Sequence, residues 1–189
     1  LMEGAAPFII LGIVIVIPLF WLIGTYNGLV RLRQHVRESW SGIDTELKRR
    51  YDLIPNLVET VKGYAKHEKE VLESVVAARS KALASTGSPA AQSRDENSLV
   101  GSLNKLLAVS ESYPDLKASQ NFLQLQVELA NTEDRIQAAR RFYNANVRDL
   151  NTRVESVPSN MVANMFGIKG EEYFEVEHVN VRAAPKVSL

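Results

Sequence analysis

The sequence predicts an all-α protein: a single N-terminal transmembrane helix continuing into an antiparallel bundle of long helices, closed by a short, partly extended C-terminal tail. Three observations predict it. Residues Ala5 to Ile23 form an apolar run with no charged side chain. From Leu32 to Leu150 apolar residues recur at steps of three, four and seven, the spacing of helical faces. Alternation with period two is confined to the stretch around Tyr173–Val181. The expected organisation is an anchor over 1–28, a helical bundle over 29–157 with a flexible loop at 85–97, and a tail over 158–189.

A helix rises 1.5 Å per residue, so about 20 apolar residues cross a hydrocarbon core of about 30 Å. The run from Ala5 to Ile23 meets that length. Pro18 removes one hydrogen bond inside it, which membrane helices tolerate with a kink. Trp21 and Tyr26 stand where amphipathic rings favour the headgroup level, and Arg31, Arg33 and Arg37 follow as lipid-facing cations. A cleaved signal peptide would place basic residues before the run and a small-residue cleavage site after it. Here Glu3 is the only charge before the run and no Ala-x-Ala site follows. A retained anchor is therefore expected, with the bulk of the chain in the cytoplasm and the short N-terminus outside. Leu1 ahead of Met2 suggests a trimmed or altered start. Gly24 and Gly28 form a Gly-x-x-x-Gly pair through which two anchors could approach.

Composition narrows the function classes. The chain has 189 residues with 22 Lys plus Arg against 22 Asp plus Glu, so no net field points to nucleic acid. It contains no cysteine, which removes disulfides, thiol nucleophiles, iron–sulfur clusters and Cys-ligated zinc.

Downstream of the anchor, Leu32, Val36, Trp40, Ile43 and Leu47 mark one helical face. Asp52-Leu53-Ile54-Pro55 reads as a break, because the residue before a proline is pushed out of the α region and Pro55 suits the first turn of a new helix. That helix carries Leu57, Val58, Val61, Leu72, Val75 and Val76 and fades near Ala84. The stretch Ser85–Asn97 is polar and aperiodic, hence the loop. A short helix with Leu99, Leu103, Leu106 and Leu107 follows and ends at Tyr113-Pro114-Asp115. Phe122, Leu129, Ile136, Tyr143 and Leu150 then recur every seven residues, which predicts a helix of roughly 35 to 40 residues with antiparallel partners along it. Pro158 closes it. Beyond, Tyr173–Glu177 and Val179–Val181 alternate like a strand that has no partner strand, so an extended tail against the bundle or a neighbour is expected. Met165 and Phe166 are apolar candidates for oligomer contact, with Gly24 and Gly28.

The string Arg49-Arg50-Tyr51-Asp52-Leu53-Ile54-Pro55-Asn56-Leu57-Val58 resembles the signature of LemA family proteins. Trp40, Asp44, Gly63-Tyr64-Ala65, His67-Glu68, Tyr113-Pro114-Asp115-Leu116-Lys117-Ala118 and Asn121-Phe122 extend the resemblance. So do Thr132-Glu133, Ala139-Arg140-Arg141-Phe142-Tyr143-Asn144, Pro158-Ser159-Asn160 and Tyr173-Phe174. It implies a bacterial inner-membrane protein with one N-terminal anchor, a mostly cytoplasmic antiparallel helical domain and no established enzymatic activity. Members of this poorly understood family are suspected of organising membranes or assisting membrane-associated processes. Arg49, Arg50, Asp52, Pro55, Asn56, Arg140, Arg141, Tyr143 and Asn144 are its motif residues here, in structural or partner-binding roles.

Chemistry-bearing motifs are sparse. His67-Glu68 lacks the second histidine of a zinc-protease helix, since position 71 is Val71. His35, His67 and His178 are widely separated and lack paired ligand spacing. There is no Gly-rich phosphate loop and no Gly-x-Ser-x-Gly elbow. The expectation is a protein without catalytic residues, cofactor or metal. Lys48-Arg49-Arg50 and Arg140-Arg141 could meet anionic lipid or an acidic partner. Ion pairing inside the bundle is the preferred reading, with Asp44, Asp52, Glu59 and Glu133 as partners, because Arg49 lies about 30 Å beyond the span along a helix. Asn56, Asn121, Thr132, Asn144 and Asn146 are read as polar residues setting register in the helix core. The expected function is a membrane-anchored scaffold that self-associates and organises or remodels the cytoplasmic side of the membrane. The alternative is a tethered adaptor that recruits or regulates another membrane protein, such as a protease or sensor. The partners expected are the bilayer, further copies of the chain and such a membrane protein.

Overall fold

The computed structural model describes the backbone of residues 6–181 and the side chains of residues 12–181. Leu1, Met2, Glu3, Ala5 and the last part of the expected tail lie outside the described residues. The described residues form six helices in order: α1 (Ala6–Tyr64), α2 (Lys69–Leu83), α3 (Pro89–Ser110), α4 (Pro114–Ala118), α5 (Gln120–Glu155) and α6 (Ser159–Met165). No strand forms among the described residues, and the fold is an all-α bundle with one long apolar N-terminal helix. The chain divides into two compact units, one of residues 1–38 with 145–171, the other of 39–144 with 172–189.

In the first unit, α1 passes from the apolar run into an amphipathic stretch. Leu29 and Val36 on α1, Val147 and Leu150 on α5, and Val162, Ala163 and Ile168 at α6 are buried. Tyr26 tilts against Phe166 with ring centroids 4.5 Å apart. α6 ends in a Schellman turn. Gly167 adopts φ +64°, Ile168 N–H donates to the Ala163 carbonyl at 2.9 Å, and Gly167 N–H donates to that of Asn164 at 3.3 Å. Glycine enters the left-handed region without the Cβ penalty, and buried Ile168 locks the turn. Asn151 then holds Glu171 from both sides, donating to its carbonyl at 2.9 Å and accepting its N–H at 2.8 Å.

In the second unit, three cross-helix pairs fix the direction of α1 against α5. Trp40 meets Tyr143, Arg50 meets Glu133, and Thr60 meets Asn121. As one number rises the other falls, so the two are antiparallel, as the heptad pattern required. α2 packs on α3, with Lys81 paired to Asp95 at 3.0 Å. The core is aliphatic: Ile43, Leu47, Ile54, Leu57 and Val61 from α1, Val75 from α2, Leu99, Leu103 and Leu106 from α3, Phe122, Leu129 and Ile136 from α5.

Three expectations are corrected here. The break at Pro55 does not occur; α1 runs through it to Tyr64. Proline cannot bond the carbonyl four residues back, which is that of Tyr51. That carbonyl is taken by Arg79 Nε of α2 at 2.7 Å, so the helix keeps its path. The loop is also shorter than 85–97, because α3 already starts at Pro89. Ser88 is its N-cap, with Oγ accepting from Ala91 N–H at 3.4 Å, and Pro89 occupies the first turn. The helix ahead of Tyr113 is therefore 22 residues long, not short. Finally, Asn56 and Asn121 are exposed, not core residues. α4 is an addition: Pro114 at its first turn follows Tyr113, and Leu116 is buried.

Candidate functional site

Arg50 is the largest fully buried side chain of the second unit. It lies on the α1 face that carries Ile43, Leu47 and Ile54, where burial demands partners. Two carboxylates supply them. Arg50 donates to Glu133 of α5 at 2.9 Å and to Glu96 of α3. Tyr51 donates its hydroxyl to the other oxygen of Glu96, and Val179 N–H reaches the second oxygen of Glu133 at 3.5 Å. The exposure of the Arg50, Glu96 and Glu133 side chains is 0%, 2% and 0%. Burial is the largest influence on Arg50 and opposes its charge. The fields of Glu133 and Glu96, with their hydrogen bonds, outweigh it and raise its pKa. Burial, then the charge and bond of Glu96, hold the Tyr51 phenol well above its ordinary value, so it stays a donor. Two carboxylates face one guanidinium, and the surplus negative charge is met by the phenol and a backbone N–H. The cluster ties α1, α3, α5 and the tail together, and geometry of this kind confers register.

The tail makes the second arrangement. From Glu172 to Asn180 it runs extended beside α3 and α5, held by their side chains instead of by another strand. Asn144 of α5 donates to the Phe174 carbonyl at 3.0 Å and accepts the Phe174 N–H at 2.9 Å. Asn97 of α3 donates to the Glu175 carbonyl at 3.1 Å and accepts the Glu177 N–H at 2.8 Å. Ser93 accepts from Glu175 N–H, Asn104 from Asn180 N–H, Arg140 donates to Val176 and Tyr143 to Glu172. Phe174, Val176 and Val179 turn inward and are buried. Trp40 meets the Phe174 and Tyr143 rings, each at 5.2 Å and edge-on. At the tail's start, Glu172 accepts from Ala90 N–H at 3.2 Å. Bonds from Ser88 and from that N–H hold the Glu172 carboxyl below its usual value.

A third feature is an apolar groove of about 650 Å³ between the end of α1 and α2. Val58, Leu72, Val76 and Ala77 line it, and Lys62, Lys66 and Lys69 stand at its rim with Glu59 and Glu73.

The motif residues divide among these places. Arg50, Tyr143 and Asn144 join the cluster and the tail groove, and Arg140 holds the tail by one bond. Arg49 is partly exposed and pairs with Glu46 at 3.5 Å. Asp52, Pro55, Asn56 and Arg141 are exposed. Of the ion-pair partners expected, Glu133 binds Arg50, Asp44 binds Lys48 and Glu59 binds Lys62. In the first unit, Trp21, Arg31 and Arg37 are exposed, while Tyr26 and Arg33 are half-buried. Gly24 and Gly28 have open space where a Cβ would stand, and Met165 and Phe166 are exposed. α1 from Gly12 is long and apolar enough to cross a membrane. The residues missed from sequence are Glu96, Ser93, Asn97, Asn104 and Asn151. A signal existed for three of them: Asn97 and Asn104 on α3, and Asn144 and Asn151 on α5, are each seven apart and so share a helical face.

Comparison with known proteins gives consistent matches. A family model described as the LemA family matches residues 39–189. Protein LemA of Metamycoplasma hominis is 30% identical over 182 residues, covering 92% of this chain and 82% of that protein. Magnetosome protein MamQ 2 of Paramagnetospirillum magneticum is 25% identical over 179 residues, covering 82% of this chain and 66% of that protein. Magnetosome protein MamQ of Magnetospirillum gryphiswaldense is 24% identical over 178 residues, covering 81% and 65%.

Proposed function

The chain belongs to the LemA family, and from that premise we propose that it is a membrane-anchored helical scaffold. It self-associates and organises or remodels the cytoplasmic face of the bacterial inner membrane, and it carries out no reaction of its own. One observation carries the reading. Ile13 to Trp21 are exposed on every side of α1, and none of the described residues covers this apolar cylinder. A helix that is apolar all round and left uncovered needs lipid as its solvent. Arg31, Arg33 and Arg37 after the span favour a cytoplasmic bundle. Gly24, Gly28, Met165 and Phe166 leave small and apolar surface free for further copies.

The test is the full-length protein in lipid nanodiscs, sized by native mass spectrometry and imaged, with protease accessibility in spheroplasts reading orientation. Oligomers with a cytoplasmic bundle are expected. A strictly monomeric species in lipid, or a bundle digested from outside, overturns the scaffold.

The adaptor reading draws on the groove between α1 and α2. An apolar floor whose rim carries three lysines and two glutamates, with Lys62 paired to Glu59 and Lys69 to Glu73, fits an amphipathic helix of another membrane protein that bears charges of both signs. Crosslinking in cells that captures only copies of this chain would remove that reading.

A further inference from the structure

We propose that α6 and the turn after it lie in the headgroup layer of the membrane that α1 crosses, which gives the protein an interfacial lipid contact beside its anchor. This goes beyond the scaffold reading and rests only on its anchor. Every residue involved belongs to the first unit. The level follows from α1. Its apolar run ends at Ile23, and Tyr26 comes three residues later, about 4.5 Å further along a helix. The interfacial layer flanking the hydrocarbon core is about 5–7 Å deep on each side. Tyr26 therefore falls inside that layer, and the Phe166 ring lies against it with centroids 4.5 Å apart. Burial along α1 changes at the same place: Ile13 to Phe20 are exposed, whereas Thr25 and Leu29 are buried. Phe166 and the end of α6 are thus seated where the span ends.

The outward face of α6 fits that level. Met161 and Met165 stand one helical turn apart, each 67% exposed, and Phe166 follows at 47%. Ser159, Val162 and Ala163 are buried on the other side. The helix is fixed in this rotation at both ends. Ser159 Oγ donates to the Arg153 carbonyl at 2.7 Å, and the left-handed turn at Gly167 with buried Ile168 closes the far end. The methionines cannot turn inward without undoing both. An apolar face held open beside a bilayer buries itself in the boundary between headgroups and acyl chains, and the unbranched thioether adapts to a fluid surface. Lys169, just after the turn, and Arg31 and Arg153 in the same unit are exposed cations for lipid phosphates. Lipid is assigned ahead of a protein partner because this face adjoins, through Tyr26, the uncovered cylinder of α1, whose solvent is lipid. Met165 and Phe166 meet a neighbour only where a copy displaces that lipid.

The test uses the full-length protein, which has no cysteine of its own. Met161→Cys and Met165→Cys are each labelled with a nitrobenzoxadiazole fluorophore and placed in nanodiscs of phosphatidylcholine and phosphatidylglycerol. Leu19→Cys, inside the span, is the reference. All three side chains are exposed, so the core is untouched, and circular dichroism verifies folding. Each label is read against lipid carrying a nitroxide near the top of its acyl chain, and against iodide in the water. The labels on α6 are expected to lose most of their emission to the lipid nitroxide and little to iodide, as the reference does. Quenching of the α6 labels by iodide alone, with the reference still reached by lipid, overturns the proposal and leaves the anchor standing. Labels on α6 shielded from both quenchers are covered by protein, which also overturns it. Iodide quenching at all three positions removes the anchor as well.

Discussion

Arg50 carries the most consequential single side chain. It is fully buried, and its removal would leave two carboxylates facing each other without a cation. Arg50→Ala is expected to destabilise the fold by about 3–5 kcal/mol, the usual result of breaking a buried ion pair from one side. Glu133→Gln keeps one acceptor oxygen for Arg50, sets an NH2 group against Val179 N–H and removes one of the two negative charges, so it should destabilise the fold but cost less than Arg50→Ala. Denaturant unfolding of the two variants compares them directly. Glu172 offers a pH-dependent counterpart. Its carboxyl is held below the usual 4.5 by Ser88 and Ala90 N–H. A carboxyl whose folded pKa lies below its unfolded value stabilises the fold above that unfolded value and loses the contribution as pH falls through the folded one. Glu172→Gln should therefore lower the melting temperature at pH 7, with the difference from the parent shrinking as pH falls below the unfolded value of 4.5 and through the lower folded one. Thermal scans across that range test it.

At the scale of elements, α1 shows how a local rule is overridden. Pro55 forbids a bond to the Tyr51 carbonyl, and the Arg79 guanidinium supplies a replacement from α2. Arg79→Ala should cost about 1–2 kcal/mol in the parent, because a part-buried carbonyl loses the donor that stands in for the missing N–H of Pro55. In a Pro55→Ala background the restored N–H at residue 55 bonds Tyr51, and the same change should cost less. A double-mutant cycle measures that coupling. Nothing in the sequence near Pro55 reveals that the Tyr51 carbonyl meets a donor 28 residues further along the chain, so a break is the natural reading. The start of α3 is a different matter. Ser88-Pro89 is an N-cap and first-turn pair, and the surrounding Ser, Gly and Asn masked it as loop composition. The heptads of α5 were fully legible because burial and period coincide along it. The tail groove was half legible: Tyr143, Asn144 and Arg140 stood in the recognised motif. Glu96 and Asn97, however, fell in the segment read as loop, and only the folded chain brings them to Arg50 and to the tail.

For the whole molecule, the uncovered apolar cylinder at the N-terminus dominates. A charge placed at its middle faces a penalty of about 2.5–3.5 kcal/mol for membrane insertion. Val16→Arg is expected to shift the protein from the membrane fraction of cells to the soluble or degraded pool. Val157→Arg changes an apolar residue exposed at 80%, outside the span, and should leave fractionation unchanged. Equal behaviour of the two variants would remove the bilayer from the account. Membership of the LemA family and the helical architecture could both be read before any coordinates, because anchor length, heptads and motif order are written locally. Of what binds α1, α3, α5 and the tail into one unit, Glu133 as a partner of the basic cluster was expected, but Glu96 and the α3 side chains that hold the tail were not, because their contacts join positions far apart in the chain.

The manner in which the tail is fastened has one last consequence. An extended segment normally offers rows of unused N–H and C=O groups on which stray polypeptide can stack and grow into fibrils. Here amide and hydroxyl side chains from α3 and α5 occupy those rows at Phe174, Glu175, Glu177 and Asn180. The chain thus carries a β-like strip whose templating capacity is blunted by three asparagines and a serine of the neighbouring helices.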